Sequence, residues 1–289
     1  MNGIPIDSAP KRVVSLIPST TESLFDLGFG DSVVGISDYC TEPARRVSSI
    51  TRVGGPKNVR VQDILKLKPD LVIANQEENS REDVEELRQY GIPVWVTFPK
   101  TIRQSLDDLW ALSELYHRQV AMDRLRSLET ALDYARLAVS DVARVKYFCP
   151  IWEEESAEKR WWITFAAETY PNDLLSLFGG ENVFKDRSKL DVPETFPVEA
   201  GKDLSQAISN RYPKVTLDEI FMAEPEVILL PSEPYPYSYQ HAIDYRKLFL
   251  QKSAANSIRS VRWLDGSLIA WHGTRLARSL QELTGIFSS

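Results

Sequence analysis

The chain has 289 residues, and 43% of them are hydrophobic, which is enough for one large domain or two of ordinary size. Its formal net charge of -7, without any block of Lys and Arg, argues against a nucleic-acid surface. No window approaches the roughly 18 apolar residues of a membrane span, and Cys40 and Cys149 do not decide the redox compartment. The opening MNGIPIDSAPKR lacks the apolar stretch of a secretion signal, so the chain as written is expected to be soluble and to carry no export signal.

The first predicted element is a buried strand over residues 13–17, which ends in a tight turn and a helix. Ser19 and Glu22 have the spacing of a capping box, and apolar residues follow at helical spacing as far as Leu27. Such a helix start lies at the carboxyl end of a strand, where open α/β sheets bind ligands. The turn lacks the glycines of a phosphate-binding loop, so taken alone it is more typical of a well-capped helix than of a binding site.

Two pairs of segments repeat along the chain. Residues 61–74 and 217–230 each combine a short helix, a proline that ends it and a buried strand. Residues 19–34 and 169–184 each combine a capped helix, a glycine at its end, an acidic residue and a valine. Two matches in the same order along the chain indicate that one half duplicates the other.

A long helix is expected to join the two halves. Residues 119–142 contain no Gly or Pro, and apolar side chains recur at steps of three and four, which predicts one amphipathic helix of about 36 Å. We therefore expect an N-terminal lobe over residues 1–118, a connecting segment over 119–143 and a C-terminal lobe over 144–289. The predicted fold class is α/β, with two Rossmann-like lobes joined by a single long helix and a ligand cleft between them.

Aromatic residues concentrate in the loops that are predicted to follow the strands, including the segment 152–162. A single aromatic residue in such a loop more often covers the core than it touches a ligand. Their number favours a broad, flat or partly apolar ligand that stacks, because rings supply a large contact area at low entropic cost. The aromatic candidates for ligand contact are Tyr39, Phe98, Trp152, Trp162, Tyr170, Tyr235 and Trp271.

The sequence offers little evidence of catalysis, and we predict that the chain is not an enzyme. It has no nucleophile elbow, phosphate loop, zinc-protease motif or dinucleotide fingerprint, and its three histidines lack ligand spacing. Cys40 and His272 lie in loops after predicted strands, where each could reach a bound metal. The alternatives are an unreactive, half-buried thiol and a histidine that is hydrogen-bonded locally. The acidic cluster over residues 153–155 is expected to be a solvated face.

Several segments together resemble a known family. RVVSLIPSTTESLFDLG, DSVVGIS, DILKLKPDLVIA, GIPVW and GGENVF are similar to segments of the helical-backbone substrate-binding proteins of ABC importers for cobalamin, ferric siderophores and haem. The similarity spans nearly the whole chain, and within the group it is greatest to the cobalamin-binding branch and to the helical-backbone metal receptors. The resemblance implies a class III periplasmic-binding-protein fold. Relatives commonly place a cysteine after a His-Glu pair where this chain has Cys40 after Asp38 and Tyr39.

The resemblance also implies roles for particular residues. In this family the turn after the first strand borders the ligand and offers hydroxyl and backbone N–H groups to its polar edge. The residues at that turn are Ser19, Thr20 and Thr21. Each lobe presents an acidic residue to basic sockets on a permease. The residues at those positions are Asp218 in the C-terminal lobe and Gln62, with Asp63 beside it, in the N-terminal lobe.

The resemblance thus implies an extracytoplasmic, monomeric protein that captures a metal chelate, first of all a corrinoid such as cobalamin, for an ABC importer. It requires no cofactor of its own and has no nucleic-acid partner. A ferric siderophore or haem satisfies the same stacking pattern, so the ligand stays open among these chelates. A cytoplasmic sensor or enzyme on the same scaffold is the alternative that the missing signal segment favours, and a receptor for a bare divalent metal ranks last.

Overall fold

The structure is a computed structural model, which describes residues 8–139, 143–155, 160–187, 211–252 and 257–288, together with Ile4 and Ile6. The chain divides into two compact units. The first unit comprises Met1–Leu132 and Trp271–Arg278, and the second comprises Asp133–Ala270 and Ser279–Ser289. Residues 271–278, which the sequence analysis assigns to the C-terminal lobe, therefore group with the N-terminal part of the chain.

The first unit is built around a parallel sheet. Its strands are β1 (Val13–Ser15), β2 (Val33–Ile36), β3 (Thr51–Arg52), β4 (Gly54–Gly55), β5 (Asn58–Val59), β6 (Leu71–Asn75) and β7 (Val94–Thr97). Its helices are α1 (Pro18–Asp26), α2 (Ala44–Val47), α3 (Val61–Leu67), α4 (Arg81–Gln89) and α5 (Ile102–Tyr116), with a 3-10 turn at Gly30–Ser32. Five strands lie in the order β3-β2-β1-β6-β7, all parallel, and β4 pairs with β5 in a small antiparallel ribbon.

The second unit contains a parallel sheet and an antiparallel one. Its strands are β8 (Val145–Phe148), β9 (Trp152–Glu155), β10 (Arg160–Ile163), β11 (Gly180–Asn182), β12 (Lys214–Thr216), β13 (Val227–Pro231) and β14 (Ser260–Leu264). Its helices are α7 (Tyr170–Leu177), α8 (Leu217–Met222), α9 (Tyr239–Lys252) and α10 (Ser267–Ala270). The parallel sheet has the order β11-β8-β13-β14, and the antiparallel sheet has the order β12-β10-β9.

The two units share one strand order, which confirms the predicted α/β fold class with two lobes. In the first unit β2, β1, β6 and β7 are neighbours, and in the second β11, β8, β13 and β14 take the same places. The repeated helix, proline and strand are found as α3 with β6 and as α8 with β13. Both β6 and β13 are buried along their whole length, because strands in the middle of a parallel sheet are covered on both faces.

The predicted connecting helix is present as α6 (Gln119–Ala138), which runs without interruption. Ala121, Leu125, Leu128 and Leu132 form its buried stripe, as their spacing predicts. The last part of the predicted range, residues 140–142, lies outside the described residues. The last helix of the chain, α11 (Leu276–Glu282), follows a 3-10 turn at Gly273–Arg275. No helix among the described residues combines the length and apolar character that crossing a bilayer requires.

The start of α1 differs from the prediction. Ile17 is its N-cap residue and makes no side-chain cap, so the capping box expected from Ser19 and Glu22 is wrong. The helix begins two residues earlier, at Pro18 instead of Thr20, because the fixed φ angle of proline suits the first helical position and its missing N–H costs nothing there. Glu22 is consequently free to pair with Arg275 instead.

Candidate functional site

The sequence places a ligand at the carboxyl ends of the strands. Because β1, β2, β6 and β7 run parallel, the loops that follow them lie at one edge of the first unit's sheet. The loop after β2 is anchored there, since the Ser37 N–H donates to the Ser15 carbonyl at 3.1 Å. Arg52 Nη1 donates to the carbonyl oxygens of Ser37 and Cys40, both at 2.8 Å. The loop that carries Tyr39 and Cys40 is therefore fixed to the sheet by hydrogen bonds.

Cys40, the predicted sulfur ligand, lies in the interior of the first unit. Its Sγ is 3.0 Å from Thr21 Oγ1 and 3.1 Å from Ser37 Oγ, and Thr21 Oγ1 lies 2.9 Å from Ser15 Oγ. The Cys40 side chain is fully buried. Burial raises the pKa of its thiol, so the sulfur is protonated at neutral pH. These contacts match the alternative of an unreactive thiol, and the metal-ligand role of Cys40 stays a prediction.

The segment Trp271–Arg278, which we call the strap, lies on α1 and α5 within the first unit. The Gly273 N–H donates to Ser105 Oγ at 2.7 Å, and the Thr274 N–H donates to Ser23 Oγ at 3.1 Å. Gly273 has a φ of +84°, and a Cβ at this position would strike Ser23. Glycine therefore lets the strap approach α1 closely.

The strap brings together two of the predicted ligand contacts, His272 and Ser19. His272 Nε2 lies 3.4 Å from Ser19 Oγ, and Ser23 Oγ donates to the Ser19 carbonyl at 2.7 Å. Ser19, Thr20 and Thr21 are all buried in this structure. The hydroxyl groups of this first helical turn thus meet protein atoms, and the role of these three residues at a ligand stays a prediction.

A buried ion pair fastens the strap to α1. Arg275 Nη2 lies 2.7 Å from Glu22 Oε1, and its Nε donates to Glu22 Oε2 at 2.8 Å. The two side chains are only 4% and 15% exposed, and the guanidinium lies 4.5 Å from the centre of the Trp271 ring. Burial raises the pKa of Glu22, while the charge of Arg275 and its hydrogen bond work against that rise. Trp271, predicted to contact a ligand, is therefore covered on one face by Arg275.

A small polar cavity lies beside the strap, lined among others by Thr20, Ser105, Asp108 and His272. Burial lowers the pKa of His272 to about 4, so its imidazole is neutral at physiological pH. Burial also raises the pKa of Asp108 to about 7, and the charge of neighbouring Asp107 adds to the rise. One cavity thus holds a base that resists protonation and an acid that resists ionisation.

Two aromatic candidates remain in the first unit. Tyr39, in the loop after β2, is 64% exposed. Phe98, in the loop after β7, is half-buried, and Lys100 Nζ lies 5.6 Å from the centre of its ring. Both lie at the carboxyl edge of the sheet, where the sequence analysis places them, and their contact with a ligand stays a prediction.

The aromatic segment of the second unit is not the loop that the sequence analysis expects. Trp152 lies on β9 and Trp162 on β10, which pair antiparallel with Trp162 opposite Glu153 and Ile163 opposite Trp152. Side chains alternate between the two faces of such a ribbon. Trp162 is consequently buried completely, whereas Trp152 is 44% exposed. A fully enclosed Trp162 belongs to the core of the second unit.

Glu153, expected in a solvated acidic cluster, is instead a buried hub with a side chain that is 9% exposed. Its Oε2 accepts hydrogen bonds from Trp162 Nε1 at 3.0 Å and from Arg160 Nη2 at 3.1 Å. The hydroxyl groups of Tyr245 and Tyr235 also donate to this carboxylate. Burial opposes its ionisation, but these hydrogen bonds and the charge of Arg160 prevail and lower the pKa of Glu153.

An exposed aromatic face covers this hub. The rings of Trp152 and Tyr235 meet edge to face, with centroids 5.6 Å apart, and Tyr235 lies 4.5 Å from buried Tyr237. The indole of Trp263 donates to the Tyr237 carbonyl at 2.7 Å and is itself partly exposed. We call Trp152, Tyr235 and Trp263 the aromatic face. Its half-exposed rings can stack on a flat ligand.

Tyr170, another predicted contact, opens helix α7 and is buried. Burial raises the pKa of its phenol far above the ordinary value. A metal site is likewise not assembled in the part of the chain that the structure describes, where no three His, Cys, Asp or Glu side chains converge. Cys40 and His272 both lie in the first unit, each within a hydrogen-bonded setting of its own.

The predicted docking residues lie at the starts of two equivalent helices. Asp218, in the first turn of α8, is exposed. Gln62 is also exposed in the first turn of α3, but neighbouring Asp63 lies 2.9 Å from Arg60 Nε and 2.8 Å from Lys66 Nζ. Hydrogen bonds from Lys66 and Arg60 lower the pKa of Asp63. Of the two helix starts, that of α8 offers the freer negative charge.

Sequence reasoning missed Glu153, Tyr245, Trp263 and Arg275 as residues that shape these surfaces. Glu153 could have been found from alternation, because neighbouring residues of a strand lie on opposite faces, which separates Glu153 from Trp152 in WEEE. The others gain their importance from partners distant in sequence, for which a single sequence carries no signal.

Two parallel sheets that share the order of four neighbouring strands, with ligand candidates at their carboxyl edges, are typical of two-lobed solute-binding proteins. The chain belongs to the periplasmic binding protein family, whose model matches residues 13–252. This confirms the family resemblance drawn from the sequence.

Comparison with known proteins gives two kinds of relative. The vitamin B12-binding protein of Vibrio cholerae is 27% identical over 234 residues, which cover 81% of this chain and 72% of that protein. Among solved structures, the periplasmic vitamin B12-binding protein BtuF of Vibrio cholerae has a TM-score of 0.73 and 24% identity, covering 95% of each chain. The periplasmic heme-binding protein RhuT of Roseiflexus sp. RS-1, in its apo form, has a TM-score of 0.69 and 20% identity, covering 97% of this chain and 98% of that one. The structural matches show a shared fold.

Proposed function

We propose that the chain is an extracytoplasmic substrate-binding protein that captures a metal chelate, first of all a corrinoid such as cobalamin, for an ABC importer. The observation that carries the proposal is the aromatic face, in which Trp152, Tyr235 and Trp263 expose ring surface at the carboxyl end of the second unit's sheet. Solvent-exposed rings of this kind favour a broad ligand with apolar area, and a corrin macrocycle has both properties.

The sequence relatives make a corrinoid the first candidate among these chelates. The similarity to vitamin B12-binding proteins extends over 81% of this chain, and these relatives are named for the ligand that they bind. Haem and ferric siderophores also present large flat or aromatic surfaces, so the aromatic face accepts them on the same physical grounds. The choice among the three is therefore a matter for measurement on this chain.

The carboxyl edge of the first unit's sheet offers polar groups of its own. The N–H groups of Ser19 and Thr20 lie in the first turn of α1, where backbone N–H groups have no partner within the helix. Amide and phosphate groups on the periphery of a corrinoid are acceptors that suit such donors. Tyr39, exposed after β2, adds a phenol at the same edge of the sheet.

The experiment is a titration of the purified protein with cyanocobalamin, haem and a ferric catecholate, followed by tryptophan fluorescence and by the visible spectrum of each chelate. Cyanocobalamin is expected to quench tryptophan fluorescence and to saturate at one ligand per chain. A side chain that coordinates the metal changes the visible spectrum of the chelate, which tests Cys40 and His272 directly. No quenching and no spectral change with cyanocobalamin up to about 100 μM, a concentration that reveals even weak binding, would reject the corrinoid.

Two variants locate the binding face. Replacing Trp152 with Ala is expected to weaken cyanocobalamin binding by about 1 to 3 kcal/mol, the range for an aromatic contact at the centre of an interface. Trp110→Ala is the control, because Trp110 lies on α5 in the first unit, beside Arg126. Equal losses in the two variants would show that the ligand does not stack on Trp152.

A further inference from the structure

We infer that Glu153 is a positioning residue, whose carboxylate holds the rings of Trp152 and Tyr235 in the arrangement that a flat ligand meets. The inference rests on the proposed function, since it concerns the same aromatic face. It assigns to a buried acid a role in ligand binding without any contact between that acid and the ligand.

The first step is that one carboxylate connects three separate elements of the second unit. Trp162 lies on β10, Tyr245 lies on α9, and Tyr235 lies in the loop after β13. All three donate to Glu153, and Arg160 adds a charged donor from the start of β10. The relative positions of β10, α9 and the loop after β13 therefore depend on hydrogen bonds to one side chain.

The second step links this hub to the exposed rings. Trp152 directly precedes Glu153 on β9, so its backbone position follows that of the anchored residue. The loop residue Tyr235 is tied twice, because its N–H donates to the Ile151 carbonyl at 3.2 Å and its hydroxyl donates to Glu153. The edge-to-face contact between Trp152 and Tyr235 thus forms between two residues that the hub holds in place.

The third step concerns charge. Arg160 lies over the rings of Trp162 and Tyr245, with its Cζ 5.3 Å and 5.1 Å from their centres, so its charge is enclosed by apolar surface. Only an ionised carboxylate both neutralises this guanidinium and accepts from four donors at once. A glutamine of the same shape carries two N–H donors of its own, so it cannot accept from every partner, and it removes the 3.1 Å salt bridge to Arg160.

The test compares Glu153→Gln with Glu181→Gln. Glu181 lies on β11, at the edge of the second unit's parallel sheet, and pairs with Lys185 with its side chain 40% exposed. We expect Glu153→Gln to weaken cyanocobalamin binding at least tenfold and to reduce the near-ultraviolet circular dichroism of the unliganded protein. Glu181→Gln is expected to leave both unchanged. Unchanged affinity and dichroism in Glu153→Gln would overturn the inference.

Tyr235→Phe keeps the chain testable if Glu153→Gln does not fold. This variant deletes one hydrogen bond to a charged group and retains the ring, so we expect roughly tenfold weaker binding and a lower urea midpoint, with the unfolding transition still cooperative. Wild-type affinity in Tyr235→Phe would overturn the inference. Where Glu153→Gln also folds, its loss of affinity should be smaller in the Tyr235→Phe background than in the wild type, because the two residues act through each other.

A third readout follows the ionisation of Tyr235. Burial raises the pKa of its phenol, and the charge and hydrogen bond of Glu153 raise it further. Glu153→Gln should therefore lower the pKa of this phenol in an absorbance titration assigned by Tyr235→Phe, while Glu181→Gln leaves it in place. If the wild-type protein binds none of the three chelates, the proposed function fails, and the dichroism and the phenol titration of the unliganded variants still decide the role of Glu153.

Discussion

The two units have the same strand order but very different carboxyl edges. In the first unit the edge carries small hydroxyl and thiol groups, such as those of Thr21, Ser37 and Cys40, which are buried and bonded to one another. In the second unit it carries rings arranged around the ionised carboxylate of Glu153. The duplicated scaffold is thus retained where strands are buried on both faces, and the loops and insertions at the strand ends are free to differ.

The difference has a structural origin in how the first strand of each unit continues. In the first unit β1 leads directly into α1. In the second unit the hairpin of β9 and β10 is inserted between β8 and α7. The inserted ribbon supplies Trp152, Glu153 and Trp162, and the alternation of side chains along it sends one ring outward and another into the core.

The largest effect that we expect concerns the strap, which belongs to the first unit. Arg275→Met leaves Glu22 charged and unpaired in a buried place, so unfolding free energy should fall by about 3 kcal/mol or more. Arg46→Met is the matched control, because Arg46 also pairs with a carboxylate and lies 4.7 Å from the Phe25 ring, but its pair with Asp31 is exposed. The control should lose less than about 1 kcal/mol in urea unfolding. Equal losses in the two variants would contradict a strap fastened by a buried ion pair.

The second prediction concerns the polar cavity of the first unit. This cavity is lined by the titratable side chains of Asp108 and His272, whereas the second unit carries aromatic rings. The folded-state pKa of Asp108, about 7, exceeds its ordinary value of 3.8, so the folded chain binds the extra proton between these values. The stability that the protonated Asp108 side chain contributes is fully present below about pH 4 and is lost as pH rises through 7. Asp108→Asn should therefore stabilise the chain at pH 8 by on the order of 1 to 3 kcal/mol and leave it unchanged at pH 4.

His272 should give the opposite slope. Its folded-state pKa of about 4 lies below its ordinary value of 6.5, so the unfolded chain takes up the proton first and stability falls as pH drops from about 6.5 towards 4. His272→Gln should remove this fall in stability below about pH 6.5. Above pH 7 the difference in unfolding free energy between the variant and the wild type should stay constant to within about 0.5 kcal/mol. Urea unfolding of the wild type and of both variants, measured in steps of half a pH unit, tests these two predictions. If the unfolding free energy of a variant runs parallel to that of the wild type across this pH range, the pKa shift assigned to the replaced residue is wrong.

The third prediction sharpens the equivalence of the two scaffolds. Helices α1 and α7 both end in a glycine with positive φ, +84° at Gly28 and +91° at Gly179, and a Cβ would meet no atom within 4 Å at either position. Gly28→Ala and Gly179→Ala should each cost about 1 kcal/mol of unfolding free energy, from backbone strain alone. Costs that differ by more than about 1 kcal/mol would break the equivalence.

The smallest effect on the protein itself is expected at the docking helices. Asp218→Lys should change stability by less than about 0.5 kcal/mol and leave ligand affinity unchanged, because the residue is exposed on α8. It should weaken association with an importer in proteoliposomes, measured at low and moderate salt, since exposed charges act chiefly on association. Asp63→Asn should have a lesser effect there, because Arg60 and Lys66 already pair with Asp63. Importer binding by Asp218→Lys equal to wild type would remove Asp218 from docking.

The sequence predicted the scaffold well, and it predicted the position of the candidate residues in the fold only in part. Polar and aromatic candidates such as Tyr39 and Tyr235 do lie at the strand ends, because the carboxyl edge of a parallel sheet follows from strand and helix order alone. Trp162 and Tyr170 could not be distinguished from them, since burial depends on which element covers a ring. Three consecutive acidic residues usually form a solvated face, so the sequence predicts that Glu153 is exposed. Only the pairing of β9 with β10 turns its side chain inward.

By itself the sequence determined the α/β class, the duplicated helix, proline and strand, and the continuous helix α6, because these depend on periodicity and on proline within short segments. Only the tertiary structure decided the site. Arg275 meets Glu22 across 253 residues of sequence, and Trp162 meets Tyr245 across 83. Such pairs form when the whole chain brings distant segments together, so their energies and the shifted pKa values that follow are properties of the folded protein.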